Sequence, residues 1–217
     1  MNNLKLSYSV IFLIIFYFVG IAGFMIPATN SLFKNLIPLA ILLSAVLLIL
    51  FHKPGFTITS IIVFIVIAVL SFFVEALGVK TGNIFGQYTY GNTLGPKLAD
   101  TPLLIGINWL MLIYCTKVIT DSITVKKTIR IIAPPLLMVI YDLVLEKAAP
   151  VLGMWSWAGG EIPQKNYIAW FCFSLLFILL IRFFKLSFSN KLAPYVLITQ
   201  FIFFIIIVTY FKLIIND

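Results

Sequence analysis

The sequence predicts an all-α, polytopic transmembrane bundle of about seven helices, organised as a single transmembrane domain over residues 1–217. Apolar residues make up 62% of the chain, charged residues only 10%, and the mean hydropathy is +1.14. A water-soluble domain of this size has too much surface relative to its core to bury so many apolar side chains. The apolar residues also form runs long enough to cross a bilayer, with Lys and Arg at the ends of the runs.

Seven apolar runs predict the helices, each near the roughly 20 residues that a span requires, except the shorter second run. They are residues 6–26, 36–51, 57–77, 102–120, 128–148, 166–184 and 192–215. We expect Pro27 to end the first helix and Pro54-Gly55 to follow the second, because proline lacks the helical N–H and glycine favours turns. A polar segment ends the third helix, and another separates the fifth from the sixth. Basic loops follow the fourth and sixth.

The basic residues predict the orientation of the chain in the membrane. Nine Lys and Arg residues fall on the side of the N-terminus and six on the other side. This modest excess places the N-terminus in the cytoplasm. The net charge of +8 does not indicate nucleic-acid binding, because the basic residues are dispersed at helix ends, where they reach lipid headgroups.

Two polar segments, residues 75–100 and 142–170, interrupt the apolar pattern. Two predicted helices lie between them, so the chain crosses the membrane and returns. Both segments must therefore lie at the same membrane face, whichever way the protein points. We expect them to meet and to form one site.

Three acidic residues in these segments are candidates for catalysis: Glu75, Asp142 and Glu146. A carboxylate inside a bilayer costs on the order of 3 kcal/mol, so we expect these side chains to face the bundle interior. We expect the carboxyls of Glu75 and Asp142 to lie within about one water of each other or across one shared cavity. Asp142 and Glu146 are four residues apart and share a helix face. Two like charges so close cannot both stay ionised cheaply, so one carboxyl would keep a proton and act as a general acid, beside a carboxylate that holds water. Alternatively, Glu146 lies at headgroup level, solvated beside Lys147.

Aromatic side chains are concentrated in and beside the polar segments. They are Phe85, Tyr88, Tyr90, Trp109, Trp155, Trp157, Tyr167 and Trp170. Any membrane protein carries such residues as an interfacial belt. Beside three acids, the same rings would also suit a pocket in which a cation forms, since π faces stabilise positive charge.

Several common classes of site are absent from the sequence. His52 is the single histidine, so a histidine-rich metal centre is excluded, and no cofactor or metal is expected. Cys115 and Cys172 each lie within a predicted span and are interpreted as small apolar fillers. Lys117 and Lys212 lie near helix ends, which argues against a retinal-binding lysine.

Ordered short motifs give the chain a family resemblance. They are Glu75-x-x-Gly78-Val79-x-Thr81-Gly82-x-x-Phe85-Gly86-x-Tyr88-x-Tyr90, Leu94-Gly95-Pro96, Pro102-Leu103, Asn108-Trp109, Asp142, Pro150, Gly153-x-Trp155-x-Trp157, Ile162-Pro163 and Asn166-Tyr167-x-x-Trp170. In this order they resemble the integral-membrane carotenoid biosynthesis family that includes the carotenoid 1,2-hydratases of bacteria and archaea. The resemblance covers roughly residues 75–170 and the number of helices.

The resemblance implies cofactor-free hydration of the terminal double bond of an acyclic carotenoid end, through a tertiary carbocation. Asp142 or Glu75 would donate the proton, the other would order water, and Glu146 would support them. The implied substrate-binding residues are Tyr88, Tyr90, Asn108, Trp109, Trp155, Trp157, Asn166 and Trp170. The implied partners are a carotenoid, water and the lipid bilayer, and the implied location is the prokaryotic cell (inner) membrane.

Three alternatives remain open from the sequence. A carotenoid end-cyclase would begin with the same protonation but would close a ring, so the product mass distinguishes it from a hydratase. A membrane transporter would often show inverted repeats, and no repeat is recognisable here. The third alternative is a lipid-binding assembly protein.

Overall fold

The computed structural model describes residues 3–215, and within them eight α-helices form a bundle. Their bounds are α1 Asn3–Met25, α2 Pro27–Asn35, α3 Ile37–Leu50, α4 Ile58–Thr81, α5 Leu104–Ile123, α6 Lys127–Val151, α7 Gln164–Phe183 and α8 Ala193–Ile215. All except α2 and α3 are long and apolar enough to cross a membrane. The helices α2 and α3 meet at a bend of 52° and qualify as a seventh span only together. The prediction of a polytopic helical membrane protein is confirmed.

The short helix α2 was not predicted, because Pro27 was interpreted as the end of the first helix. The predicted end of the first helix before Pro27 is confirmed, since α1 ends at Met25. Pro27 is also the first residue of α2, where the missing proline N–H costs nothing. The hydroxyl of Thr29 donates to the carbonyl of Gly23 at 2.8 Å, and the amide of Asn30 donates to that of Phe24 at 2.8 Å. These bonds satisfy carbonyls that the end of α1 leaves free, and they hold α2 against α1.

The central helix is α5, which packs against α3, α4, α6, α7 and α8 and is buried along most of its length. The outer helices expose large apolar side chains, such as Phe18, Ile62 and Ile202, as expected where a helix faces lipid. Gly106 allows α5 to approach α4 closely. A Cβ at this position would lie 2.3 Å from the carbonyl oxygen of Ala68.

Replacing Gly106 with alanine is expected to destabilise the bundle by about 1–3 kcal/mol, because backbone must move to relieve the overlap. Thermal unfolding in detergent should show a lower midpoint. The matched control is Gly55→Ala, since a Cβ at Gly55 would meet nothing within 4 Å. Equal midpoints for both variants would contradict the close approach of α4 and α5.

The two polar segments meet as an antiparallel pair of short strands, β1 (Tyr88–Tyr90) and β4 (Trp155–Trp157). Tyr88 lies opposite Trp157, and Tyr90 lies opposite Trp155. Because side chains alternate along a strand, the four aromatic residues are buried while the residues between them are exposed. The prediction that the two polar segments meet is confirmed. A second pair of two-residue strands, β2 (Lys97–Leu98) and β3 (Thr101–Pro102), leads into α5.

At the opposite end of the bundle, Asp121 joins three helices through basic side chains. It contacts Lys117 at 3.1 Å and Arg130 at 3.6 Å, and it forms a two-point ion pair with Arg182. The carboxylate of Asp121 therefore forms ion pairs that join helices, and it lies at the end of the bundle away from the strand pair.

Candidate active site

The three predicted catalytic acids are all buried near the strand pair. Glu75 on α4 is 4% exposed, Asp142 on α6 is 0% exposed and Glu146, one turn further along α6, is 3% exposed. The alternative in which Glu146 is solvated beside Lys147 is wrong. The indole groups of the β4 residues Trp155 and Trp157 instead bind this carboxylate.

Three donors surround the carboxylate of Glu75. The hydroxyls of Tyr88 and Tyr90 donate to its Oε2 at 2.6 and 2.9 Å, and the indole Nε1 of Trp109 donates to its Oε1 at 2.9 Å. Burial, followed by the negative charge of Glu75, raises the pKa of both tyrosine hydroxyls well above the usual value. Both phenols therefore keep their protons at physiological pH and act as donors to Glu75.

Asp142 and Glu146 share one donor, the side-chain amide of Asn166 on α7. Its Nδ2 lies 2.8 Å from Asp142 Oδ2 and 3.2 Å from Glu146 Oε1. Glu146 Oε2 also accepts the indole N–H groups of Trp155 and Trp157, at 2.9 and 2.6 Å. The other oxygen of Asp142, Oδ1, is buried and has no hydrogen-bond partner in residues 3–215.

A small cavity, here named the acid cavity, lies between Glu75 and Glu146 and has a volume of about 10 Å³. This volume is close to the minimum that holds one water molecule, about 10–15 Å³. The remaining lining residues are Phe85, Tyr88, Tyr90, Ile105, Asn108, Trp155, Trp157, Asn166 and Trp170. Trp109 lies behind this wall and stacks on Trp170 at 4.3 Å between ring centroids. All eight residues predicted to bind substrate are thus at or directly behind the wall of one cavity.

The expectation that Glu75 and Asp142 border one cavity needs a correction. Glu146 borders the acid cavity with Glu75, whereas Asp142 is absent from its wall. Asp142 is absent from the wall because it lies one turn of α6 before Glu146, further from the strand pair. It contacts the wall through Asn166, which also binds Glu146.

A larger cavity of about 230 Å³, here named the apolar cavity, adjoins the acid cavity. Its walls come mainly from α1, α3, α6 and α8, with Phe33 of α2 at its edge. Exposed Val19 and Leu39 border it, so it reaches the lipid-facing surface between α1 and α3. Asn108 lines both cavities, and its side chain has no hydrogen-bond partner in the described part of the chain.

Comparison with known families gives a match over residues 36–216 to the family described as carotenoid biosynthesis protein. The chain belongs to this family. The carotenoid biosynthesis protein is also 26% identical over 127 residues to the bisanhydrobacterioruberin hydratase of Haloarcula japonica. That match covers 55% of this chain and 43% of the relative, so the chain matches less than half of the relative's length. No solved structure matches the chain.

The residues of this carotenoid biosynthesis protein that form the apolar cavity were not predicted from the sequence. Helices α1, α3 and α8 are almost uniformly apolar, so no periodic signal distinguishes the cavity wall from the lipid-facing surface. One signal was present: Gln200 and Tyr17 are polar residues in the middle of spans. The amide of Gln200 donates to the hydroxyl of Tyr17 at 2.9 Å, and Gln200 Oε1 accepts from the hydroxyl of Tyr141 at 3.2 Å. All three side chains line the apolar cavity.

No group of three or more His, Cys, Asp or Glu side chains within residues 3–215 is arranged to hold a metal ion. What the site does contain is carboxyl groups, fixed donors and apolar surface. This set suits proton transfer to an apolar substrate and the placement of a water molecule.

Proposed function

We propose that this protein hydrates the terminal double bond of an acyclic carotenoid end group, without a cofactor, through a tertiary carbocation. The observation that carries the proposal is the acid cavity, which has room for about one water between two carboxyl groups and adjoins a cavity for an apolar chain. The hydratase relative supports the reaction type, and the family supports a carotenoid substrate. The proposed location is the cell (inner) membrane of a prokaryote.

The proton comes from the pair formed by Asp142 and Glu146. The carboxylates of Glu75 and Glu146 each accept three hydrogen bonds, which favours their ionised forms. Asp142 accepts one, and its buried Oδ1 accepts none, so this oxygen is the best place for a proton. Asp142 stores the proton, and Glu146 delivers it at the cavity wall.

The water molecule is held in the acid cavity and loses a proton to Glu75. Protonation of the alkene at its less substituted carbon leaves a positive charge on the tertiary carbon, and the water oxygen forms a bond to this tertiary carbon. The proton that the water releases goes to Glu75. Glu75 and Glu146 both border the acid cavity, so the next water there can carry this proton from Glu75 back to the pair formed by Asp142 and Glu146. This transfer restores the starting state. The net reaction is addition of one water to one alkene.

The substrate reaches the acids through the apolar cavity. Its chain enters from lipid between α1 and α3, and its end group passes Asn108. The cation then lies beside the aromatic wall, where Trp170, stacked on Trp109, stabilises positive charge through its π face. An end-cyclase would share the protonation step. A water-sized space beside Glu75 favours capture by water over ring closure.

The proposal is tested by supplying acyclic carotenoids to the purified protein in detergent, in water labelled with oxygen-18 and with EDTA present. The expected product is heavier than the substrate by one labelled water for each hydrated end, and each such end carries one tertiary hydroxyl. A product of unchanged mass would identify a cyclase or an isomerase. Activity lost on EDTA addition would reveal a metal requirement and contradict a cofactor-free reaction.

A further inference from the structure

A surface pocket of about 460 Å³ lies beside the strand pair and shares no lining residue with the apolar cavity. We call it the vestibule and define it by its lining residues 79–82, 87–89 and 156–158. Thr89 and Ser156, the exposed central residues of the two strands, form part of its wall. Its lining mixes polar and apolar groups, whereas the lining of the apolar cavity is almost wholly apolar.

One pair of rings separates the vestibule from the acid cavity. Tyr88 and Trp157 line both spaces. They are cross-strand partners, and their ring centroids are 5.0 Å apart. Each ring is held by a short hydrogen bond to an acid, Tyr88 to Glu75 and Trp157 to Glu146, both at 2.6 Å.

We infer that the vestibule is the entrance for the water that the reaction consumes, and that the Tyr88–Trp157 pair passes this water into the acid cavity. The inference rests on the proposed function. Each turnover uses one water, and the route through the apolar cavity offers few hydrogen-bond partners to a passing water molecule. The vestibule instead brings bulk water to within one layer of side chains of Glu75 and Glu146. Water then enters the acid cavity through the ring pair, whereas the carotenoid end group approaches from the apolar cavity past Asn108.

Separate entrances have a chemical consequence. A tertiary cation exposed to an open water channel would be captured without control, and an open channel would also let protons leave the buried acids. The Tyr88–Trp157 pair is tightly held, so it lets only a few water molecules pass at a time. Restricting this supply should leave protonation of the alkene intact and delay capture of the cation. The cation would then lose a proton from a neighbouring carbon and give a double-bond isomer of the substrate.

The test introduces a single cysteine into the vestibule wall, as Thr89→Cys or Ser156→Cys, in a background with exposed Cys172 replaced by serine. The folded protein is treated with a small or a bulky thiol reagent, so folding is complete before the vestibule is filled. The matched control is Asn92→Cys, an exposed position on the same loop outside the vestibule. The readouts are the rate of oxygen-18 alcohol formation, the ratio of alcohol to isomer, and the KM for the carotenoid.

The bulky adduct at Thr89 or Ser156 is expected to remove most alcohol formation and to shift products toward the isomer, with KM unchanged. The small adduct should have a weaker effect, and the Asn92 adduct none. If alcohol forms in the untreated protein and both bulky adducts leave its rate and ratio unchanged, water enters elsewhere and the vestibule inference is overturned while the proposed function stands. If the untreated protein forms no labelled alcohol from any acyclic carotenoid, the proposed function fails and this inference fails with it.

Discussion

Glutamine in place of Glu75 is expected to lower alcohol formation by about 10²–10⁴-fold, the usual contribution of a positioned acid or base. The amide occupies the same space and still accepts from Trp109 through its oxygen. Its NH₂ group then faces Tyr88 and Tyr90, whose hydroxyls rotate to accept it. The fold is therefore retained, whereas the group that orders water and takes its proton is lost.

The products of this variant distinguish the role of Glu75 from a general loss of structure. Because Asp142 and Glu146 still deliver a proton, the cation should form and then decay to a double-bond isomer of unchanged mass. Mass spectrometry and chromatography of the carotenoids measure both products. The matched control is Glu161→Gln, which alters an exposed acid near the same face. Wild-type alcohol formation in the Glu75 variant would remove this residue from the chemistry.

Much of the helical bundle follows directly from the sequence. The span that contains Glu75 was predicted as residues 57–77 and is Ile58–Thr81, because an apolar run of this length has few alternatives in lipid. The meeting of the two polar segments follows from the two helices between them. Burial of the three acids was also predictable, since the cost of a charge in lipid directs it to the bundle interior.

The detailed chemistry of the site was not predictable from composition or spacing. Strands of three residues, such as Tyr88–Tyr90, are too short for a periodic signal, and their register decides which rings face inward. The sequence suggested the π faces of Tyr88, Trp155 and Trp157 as a cation pocket. In the structure their O–H and N–H groups bind carboxylates, a geometry that depends on side-chain placement between distant segments. The position of Asp142 behind Glu146 also depends on side-chain placement, so the sequence does not predict it.

This difference in depth between the acids makes Asp142→Asn the most informative variant. The amide oxygen of the new side chain accepts from Asn166 as the carboxylate does. Its NH₂ group fills the buried position of Oδ1, which has no hydrogen-bond partner in residues 3–215. The substitution therefore conserves shape and removes the only protonated group that the proposed mechanism uses. Product formation should fall by about 10²–10⁴-fold.

The product pattern is expected to differ from that of Glu75→Gln. Without the stored proton no cation forms, so the substrate should be recovered unchanged, with neither alcohol nor isomer. Asp100→Asn is the matched control, because Asp100 is exposed and has a φ of 60°, a conformation that asparagine also tolerates. Thermal unfolding should show that both variants fold. An isomer formed by the Asp142 variant would mean that the proton does not come from Asp142 and that Glu146 protonates the alkene without it.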